Sequence, residues 1–597
     1  MKRISILLLI AVSFIWAQDK SSNPEITADE IKAHINYLAS DAMKGRFTGS
    51  PEERLAGNYI QAQFESYGLK PAFNGKWFQE FPFIEKVELT KNNSLNFSVE
   101  GKRKSLTLKK DFTTIGFSGK SKVSGEIFFV GYGISASKLN YDDYDGIDVT
   151  GKIVLLMRNH PEHDSSRSEF ERFSTLRNKA SNAKDKGAAG LIIVNGWLPK
   201  NDDILPEPRY DGAPGMKDFP VLQVSRSVVD EILKKQGVSF ADVQKQIDDS
   251  KKPKSFLLKN ANVQLVSEAV EVQKIARNVG GVLEGNNPAL KNEYIVIGGH
   301  YDHLGIDHLK EASMYKGADK QIHNGADDNA SGTTGVMETA EKFASIKNEL
   351  KRSIIFLAFS GEELGILGST YYTNNPSVEI GNITAMINLD MVGRLNEENN
   401  LTIIGTGTSS RWKEILNEKN SYGFKLAMSD GGSGGSDHQA FSNKSIPVLF
   451  FFSGTHSDYH KPSDDIDKIN FAGQEKILKY VFDVANVIQK AEKRLDYVKV
   501  QEAAQRPTGR ARVTVGSVPE FGYSGNGYKL SGTTEGSPAA KAGMKAGDII
   551  IKFGTKEVGN IYDFMYAVQD YKAGDKVNVV ALRDGKEMAF TLELIAK

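Results

Sequence analysis

Five short apolar runs limit most strongly what this chain can fold into: "EYIVIGG", "RSIIFLAF", "ITAMINLD", "NLTIIGTG" and "IPVLFFF", all within residues 293–452. Each is too short for a buried helix and has almost no polar face. A strand of that kind must be covered on both sides, and the helical stretches between the runs supply the cover. Ala269 to about Ala491 therefore reads as a mixed, mostly parallel sheet flanked by helices. The amphipathic stretch "AGQEKILKYVFDVANVIQKAEK" closes it.

In an open parallel sheet, functional groups collect beyond the carboxyl ends of the strands. His300 and Asp302 follow the first run, and Asp327 and Asp328 stand in "GADDNASG" before a helix from Thr333. Glu362 and Glu363 follow "IIFLAF", Asp390 follows "AMINL", and His460 follows "IPVLFFFSGTHSDY". Adjacent carboxylates raise each other's pKa, so Glu362 and Glu363 side by side call for a cation. The chain has no cysteine. Thiolate ligands, cysteine nucleophiles and disulfides are thereby excluded.

Histidine and carboxylate donors suit zinc, with manganese or cobalt as alternatives. A co-catalytic pair of ions about 3.5–4 Å apart needs one bridging carboxylate and two further ligands per ion. Asp327, His300, Asp390, Glu363 and His460 fill that scheme. With Glu363 neutralised by metal, Glu362 is free to act as general base toward water. Asp302 would orient the His300 imidazole.

"GGHYDHLG", "NGADDNASG", "FSGEELGILGS", "NLDMVGR" and "DYHKPSDD", in that order, resemble the co-catalytic zinc aminopeptidase and glutamate carboxypeptidase family of metallopeptidases. The resemblance covers about residues 26–118 and 265–492. It implies a phosphorylase/hydrolase-like α/β fold and two Zn2+ per chain. His300 and Asp390 would hold one ion and Glu363 and His460 the other, with Asp327 bridging and Glu362 as the base. It also implies a cis peptide at Asp327–Asp328, and for Tyr459 an oxyanion-stabilising role, against which simple packing is weighed. His303, His308, His323, His438 and His456 read as hydrogen-bonding or pocket-wall residues. Ser436-Asp437-His438 resembles a motif that supports the metal shell.

The middle of the chain, with "DYDGIDVTGKIVLLMRN" and "KDKGAAGLIIVN", is similar to the protease-associated domain often inserted in this family. His160 and His163 within it lie in a hydrophilic segment and read as solvated loop residues. The C-terminal unit, with "GSPAAKAGMKAGDIIIKFG", looks like a PDZ domain of the bacterial protease type, a class that binds extended peptides by strand addition. Its peptide-carboxylate loop would lie around Gly527-Tyr528-Lys529-Leu530, where Lys529 departs from the usual apolar pattern. The expected division is therefore 1–17 signal peptide, 18–118 N-terminal part of the peptidase domain, 119–264 protease-associated insert, 265–495 catalytic domain, 496–511 linker and 512–597 PDZ domain.

The leader "MKRISILLLIAVSFIWAQ" has a basic start, a short apolar run and a small residue before the expected cut. The run is shorter than the roughly 20 residues of a spanning helix. A secreted or periplasmic protein, without an integral membrane segment once the leader is removed, is the expectation. Lys plus Arg and Asp plus Glu are equal at 75 each, which argues against a nucleic-acid partner.

The reading is thus an exported di-zinc metallopeptidase acting on peptide substrates, with an aminopeptidase ahead of three alternatives. These are a carboxypeptidase or dipeptidase of the same family, a glutaminyl cyclase-like single-zinc enzyme, and a non-catalytic peptide-binding protein. "GGSGG" around Ser433 fits the G-x-S-x-G pattern, but "LAMSD" before it is a poor buried strand to feed a nucleophile elbow.

Overall fold

The computed structural model describes residues 24–597, except 164–167, 501–512, 520–525 and the single positions 307, 310, 311, 316, 318, 535, 560, 569 and 597. The expected signal peptide and most of the expected linker lie outside the described residues.

The five apolar runs form strands of one nine-stranded sheet. Ser353–Phe359, Tyr294–His300, Ile383–Leu389 and Val448–Phe452 lie side by side and parallel, so their carboxyl ends share one rim. Ala269–Leu283 flanks this block antiparallel on one side. On the other side Asn400–Ile404 is antiparallel to Val448–Phe452 and parallel to Lys425–Ser429. "LAMSD" is thus a half-buried strand at the sheet edge, and Ser433 beyond it is exposed.

The period of two along each strand divides the core between two faces. Ile295, Ile297, Ile354, Phe356 and Ile387 pack with apolar residues of the helices Ala28–Leu38, Pro51–Ser66, Gly332–Ser345 and Phe471–Lys490. Val296, Ile355, Leu357 and Met386 face the opposite way, toward Tyr372 and Phe441 of two shorter helices. Thr27 starts the first helix by accepting from the Glu30 amide, while its hydroxyl donates to the Glu30 carboxylate at 2.7 Å. Such caps contribute about 1 kcal/mol.

A second, eight-stranded sheet has cores of its own. Its membership corrects the expected boundary at 118/119. Ser94–Val99, Lys102–Leu106 and Phe112–Thr114 all belong to it: the first pairs with Ser255–Ser267 and with Lys102–Leu106, and the third with Val221–Val224. The chain leaves the first sheet after Phe78–Leu89 and returns at Ala269, where Leu89 and Ala269 are paired. The polar–apolar alternation of "SLNFSV" suits either sheet, so composition does not mark the crossing. His160 and His163 are a second correction: both are buried, His160 against Glu171 at 2.8 Å and His163 against Asp248 at 3.0 Å.

The C-terminal unit has its own sheet and core. Asp584 and Gly585, both at positive φ, form the two-residue turn between Lys576–Arg583 and Lys586–Glu593, as the sequence pattern predicts. Tyr528 is buried and stacks on Phe564 at 4.1 Å. Among the described residues no helix is long and apolar enough to cross a membrane.

Candidate metal centre

The shared rim brings His300, Asp328, Glu362, Glu363, Asp390 and His460 together. His300 is the last residue of its strand, and its Nδ1–H donates to the Asp302 carbonyl at 3.1 Å. That bond turns Nε2 toward Asp328 Oδ1 at 3.3 Å and Asp390 Oδ1 at 3.4 Å. On the other side His460, at positive φ, donates from Nδ1 to the Ala312 carbonyl at 2.9 Å. Its Nε2 faces Asp328 Oδ2 at 3.1 Å and Glu363 Oε2 at 3.3 Å. The Asp328 carboxylate therefore stands between the two imidazoles, one oxygen toward each.

This corrects the expectation for Asp327. Its carboxylate is turned into the fold, where Oδ1 accepts from the Gly393 amide at 2.7 Å and from the Ser331 hydroxyl at 2.9 Å. Its Oδ2 faces His456 Nε2 at 3.1 Å. Successive side chains in "GADDNASG" point different ways, so only one of the two aspartates can reach the rim. The cis peptide follows Asp328, at Asp328–Asn329, and not Asp327.

Tetrahedral zinc with bonds of about 2.0–2.1 Å sets its ligand atoms roughly 3.3 Å apart. The four imidazole–carboxylate separations just given, 3.1 to 3.4 Å, cluster at that value. They are longer than the 2.9–3.0 Å typical of N–H···O hydrogen bonds. His300, Asp328 and Asp390 form one group that could hold an ion, and His303, Asp328 and Glu363 form another. His303 Nδ1 lies only 2.6 Å from Glu363 Oε1, a hydrogen-bond distance, so His303 orients Glu363 while His460 has ligand spacing. The donor set of oxygen and nitrogen atoms, with no sulfur, fits zinc.

Around this core the expected supports are present. Ser436 donates to Asp390 Oδ2 at 2.7 Å and accepts from Asn388. Asp302 does more than orient His300: its Oδ1 accepts the Glu362 amide at 3.2 Å and its Oδ2 accepts the Thr48 hydroxyl at 2.8 Å. His438 is buried against Phe450, His308 stacks on Phe47, and His323 bonds Ser313. None of the three lines up with the carboxylates.

Burial favours the neutral form of Asp328 and of Glu362, and neighbours decide the outcome. For Asp328, the facing imidazoles of His300 and His460, with His303 nearby, outweigh burial and hold it well below the usual carboxylate range. Glu362 has no such partner: burial holds it well above that range, His300 opposes, and Glu363, Asp437 and Asp390 add to the rise. Burial lowers the His460 pKa, but Glu363 and Asp328 reverse this and push it up to about 11. Tyr459 stacks on the His460 ring at 3.9 Å, and its phenol is pushed far above the usual range by burial and by Asp328, Glu363, Glu362 and Asp390. It stays a hydrogen-bond donor.

Arg46 was not found from sequence. It is fully buried and donates to the carbonyls of Tyr301 (2.9 Å), Asn324 (2.8 Å) and Gly325 (3.0 Å). Gly325 is at positive φ, and a Cβ there would meet the Asp328 carbonyl and the His303 ring within 2.5 Å. A lone arginine more than 250 positions before the loop it braces leaves no spacing signal.

Residues 278–485 match Peptidase family M28, residues 123–232 the PA domain, and residues 526–594 the PDZ domain. The rim residues from His300 to His460 thus all lie within the match to Peptidase family M28, with the PA domain match ahead of it in the chain and the PDZ domain match after it. It is 27% identical to aminopeptidase YwaD of Bacillus subtilis (strain 168) over 345 residues, 56% of this chain and 61% of that one. It is 33% identical to leupeptin-inactivating enzyme 1 of Streptomyces exfoliatus over 150 residues, 24% and 32% of the two chains. The matched regions thus span under two thirds of the length of these relatives. The solved aminopeptidase from Aneurinibacillus sp. strain AM-1 superposes with TM-score 0.46 at 23% identity, covering 80% of this chain and 97% of that one.

Proposed function

We propose that this chain is an exported di-zinc aminopeptidase that releases N-terminal residues from peptides. The observation that carries the reading is the Asp328 carboxylate facing His300 on one oxygen and His460 on the other, at separations fitted to zinc. His300, Asp390 and Asp328 would hold one ion; Glu363, His460 and the shared Asp328 would hold the second. When bound, such a pair polarises the scissile carbonyl and lowers the pKa of water. The rest falls to the chain's own residues. Glu362 takes the proton of the attacking water at a carboxylate oxygen and delivers it to the departing amine. Asp302 fixes the Glu362 backbone, and the Tyr459 phenol donates to the oxyanion. The YwaD relative is named as an aminopeptidase, which supports the choice of substrate end.

Aminoacyl p-nitroanilides set against N-acetylated analogues and C-terminally blocked peptides, with metal analysis on the same sample, test the proposal. Cleavage of free-amine substrates, loss of activity on chelation and two zinc ions per chain are expected. A preference for acetylated peptides with a free carboxylate would favour a carboxypeptidase. One zinc per chain would favour the cyclase-like class, and no zinc would leave a peptide-binding protein. Export rests on the leader sequence, and a mature N-terminus near residue 18 in the periplasm or medium would support it. A peptide held by the PDZ domain is the partner proposed for the C-terminal unit.

A further inference from the structure

Two buried side chains from the N-terminal stretch grip the short turn that carries Glu362, one at each end. At the near end Ser360 donates its hydroxyl to Glu53 Oε1, from the first turn of the helix Pro51–Ser66. At the far end the Glu362 amide is held by Asp302 Oδ1, whose other oxygen accepts the Thr48 hydroxyl. Thr48, Glu53, Asp302 and Ser360 are all fully buried. Thr48, Glu53 and Ser360 touch no group assigned above as a zinc ligand, while Asp302 also accepts His300 Nδ1–H on its carbonyl; among the described residues Ser360 and the Glu362 amide are fixed by no other side chain except Asn278, which accepts the Ser360 amide at 3.2 Å.

We propose that Thr48 and Glu53 are positioning residues for Glu362, so that a stretch some 300 residues distant in sequence sets the aim of the general base. This rests on the peptidase reading above. Among the described residues none hydrogen-bonds the Glu362 carboxylate, so its direction is inherited from the backbone at residues 360–362. A buried hydroxyl donor at Thr48 keeps the Asp302 carboxylate rotated toward the Glu362 amide. The Glu53 carboxyl keeps Ser360 from following the strand outward. Partners of this kind change rates by about ten- to hundred-fold when removed.

The test uses the full chain with zinc bound. Thr48→Val removes the donor at nearly constant volume, and Glu53→Leu removes the acceptor. Each is expected to lower kcat on an aminoacyl p-nitroanilide about ten- to hundred-fold while KM and zinc content stay those of the parent. Thr48→Ser and Glu53→Gln restore the donor and the acceptor and are expected to recover most of the rate. The double variant Thr48→Val/Glu53→Leu is expected to lose less than the product of the two single losses, because both act on one turn. Unchanged kcat in Thr48→Val and Glu53→Leu overturns the proposal. So does a joint loss of zinc, folding and rate that the conservative variants fail to repair. A parent chain without chelator-sensitive peptidase activity sinks the functional reading itself, and this proposal with it.

Discussion

The Asp464 carboxylate accepts the backbone N–H of Asp328 at 3.0 Å, and its two oxygens also receive the Asp327 amide at 3.2 and 3.1 Å. One buried acid thus holds the loop that presents Asp328 between the two imidazoles. Asp464→Ala would leave two buried N–H groups unpaired, each costing about 1–3 kcal/mol. We expect a lower Tm for the peptidase unit and zinc affinity reduced by about ten- to hundred-fold. Calorimetry and a competition titration with a chromophoric chelator check both.

The two neighbouring aspartates should separate cleanly on substitution. Asp328→Asn weakens the group that faces both His300 and His460, so both ions should be lost or bound far more weakly. Asp327→Asn leaves the rim intact and disturbs the contacts to Gly393, Ser331 and His456. Metal analysis after gel filtration should find zinc kept in Asp327→Asn and depleted in Asp328→Asn. The reverse pattern would restore Asp327 as the bridge.

Glu362→Gln and Glu363→Gln make a second pair. Glu362→Gln should retain zinc and lose turnover, since only the proton acceptor is removed. Glu363→Gln should lose zinc as well, because Glu363 Oε2 faces His460 at ligand spacing. Zinc content beside kcat on the same preparations decides between these roles.

A pH effect on stability should arise far from the rim, where His34 faces Glu338 at 3.4 Å beneath Tyr59 and Tyr67. Burial, with Glu30 and Glu341 adding to it, pushes Glu338 up to about 9. Burial pushes His34 down to about 4. Both groups are therefore neutral in the folded protein near pH 6. Between pH 4 and 6.5 the unfolded chain binds the extra proton at His34, so that group makes stability rise with pH. From about 4.5 to 9 the folded protein holds the extra proton at Glu338, so that group makes stability fall as pH rises. Above pH 6.5 only the fall remains, at up to about 1.4 kcal/mol per pH unit. Glu338→Gln should remove this fall in the Tm of the peptidase unit between pH 6.5 and 9 and, with the opposing slope gone, unmask the His34 rise between about pH 4.5 and 6.5.

The strand ends were legible in the sequence because a strand covered on both faces has to be apolar throughout; His300 and Asp390 interrupt that rule just where their strands stop, and Glu363 and His460 follow in the loops beyond Phe359 and Phe452. What was not legible depends on direction in place of position. Asp327 and Asp328 are equivalent on any periodic reading, and only the path of the loop across Asp464 decides which one reaches the rim. Arg46, Thr48 and Glu53 are single residues in an ordinary stretch of helix and turn, tied to the site by contacts across 250 to 310 positions. The start of the insert was missed because "SLNFSV" alternates as any half-exposed strand does, whichever sheet it joins.

Tyr459 offers the sharpest remaining distinction, between catalysis and packing. Its ring lies nearly parallel to that of His460, 3.9 Å away and inclined by 21°, so removing the whole side chain would loosen a zinc-facing imidazole. Removing only the hydroxyl would not. Tyr459→Phe should therefore keep zinc and KM and lower kcat about 100-fold or more, the usual cost of one oxyanion donor. Tyr459→Ala should lose zinc affinity in addition, through His460. Full activity in Tyr459→Phe with zinc loss in Tyr459→Ala would mean that the stack alone is what Tyr459 contributes. The carbonyl would then have to be polarised without it.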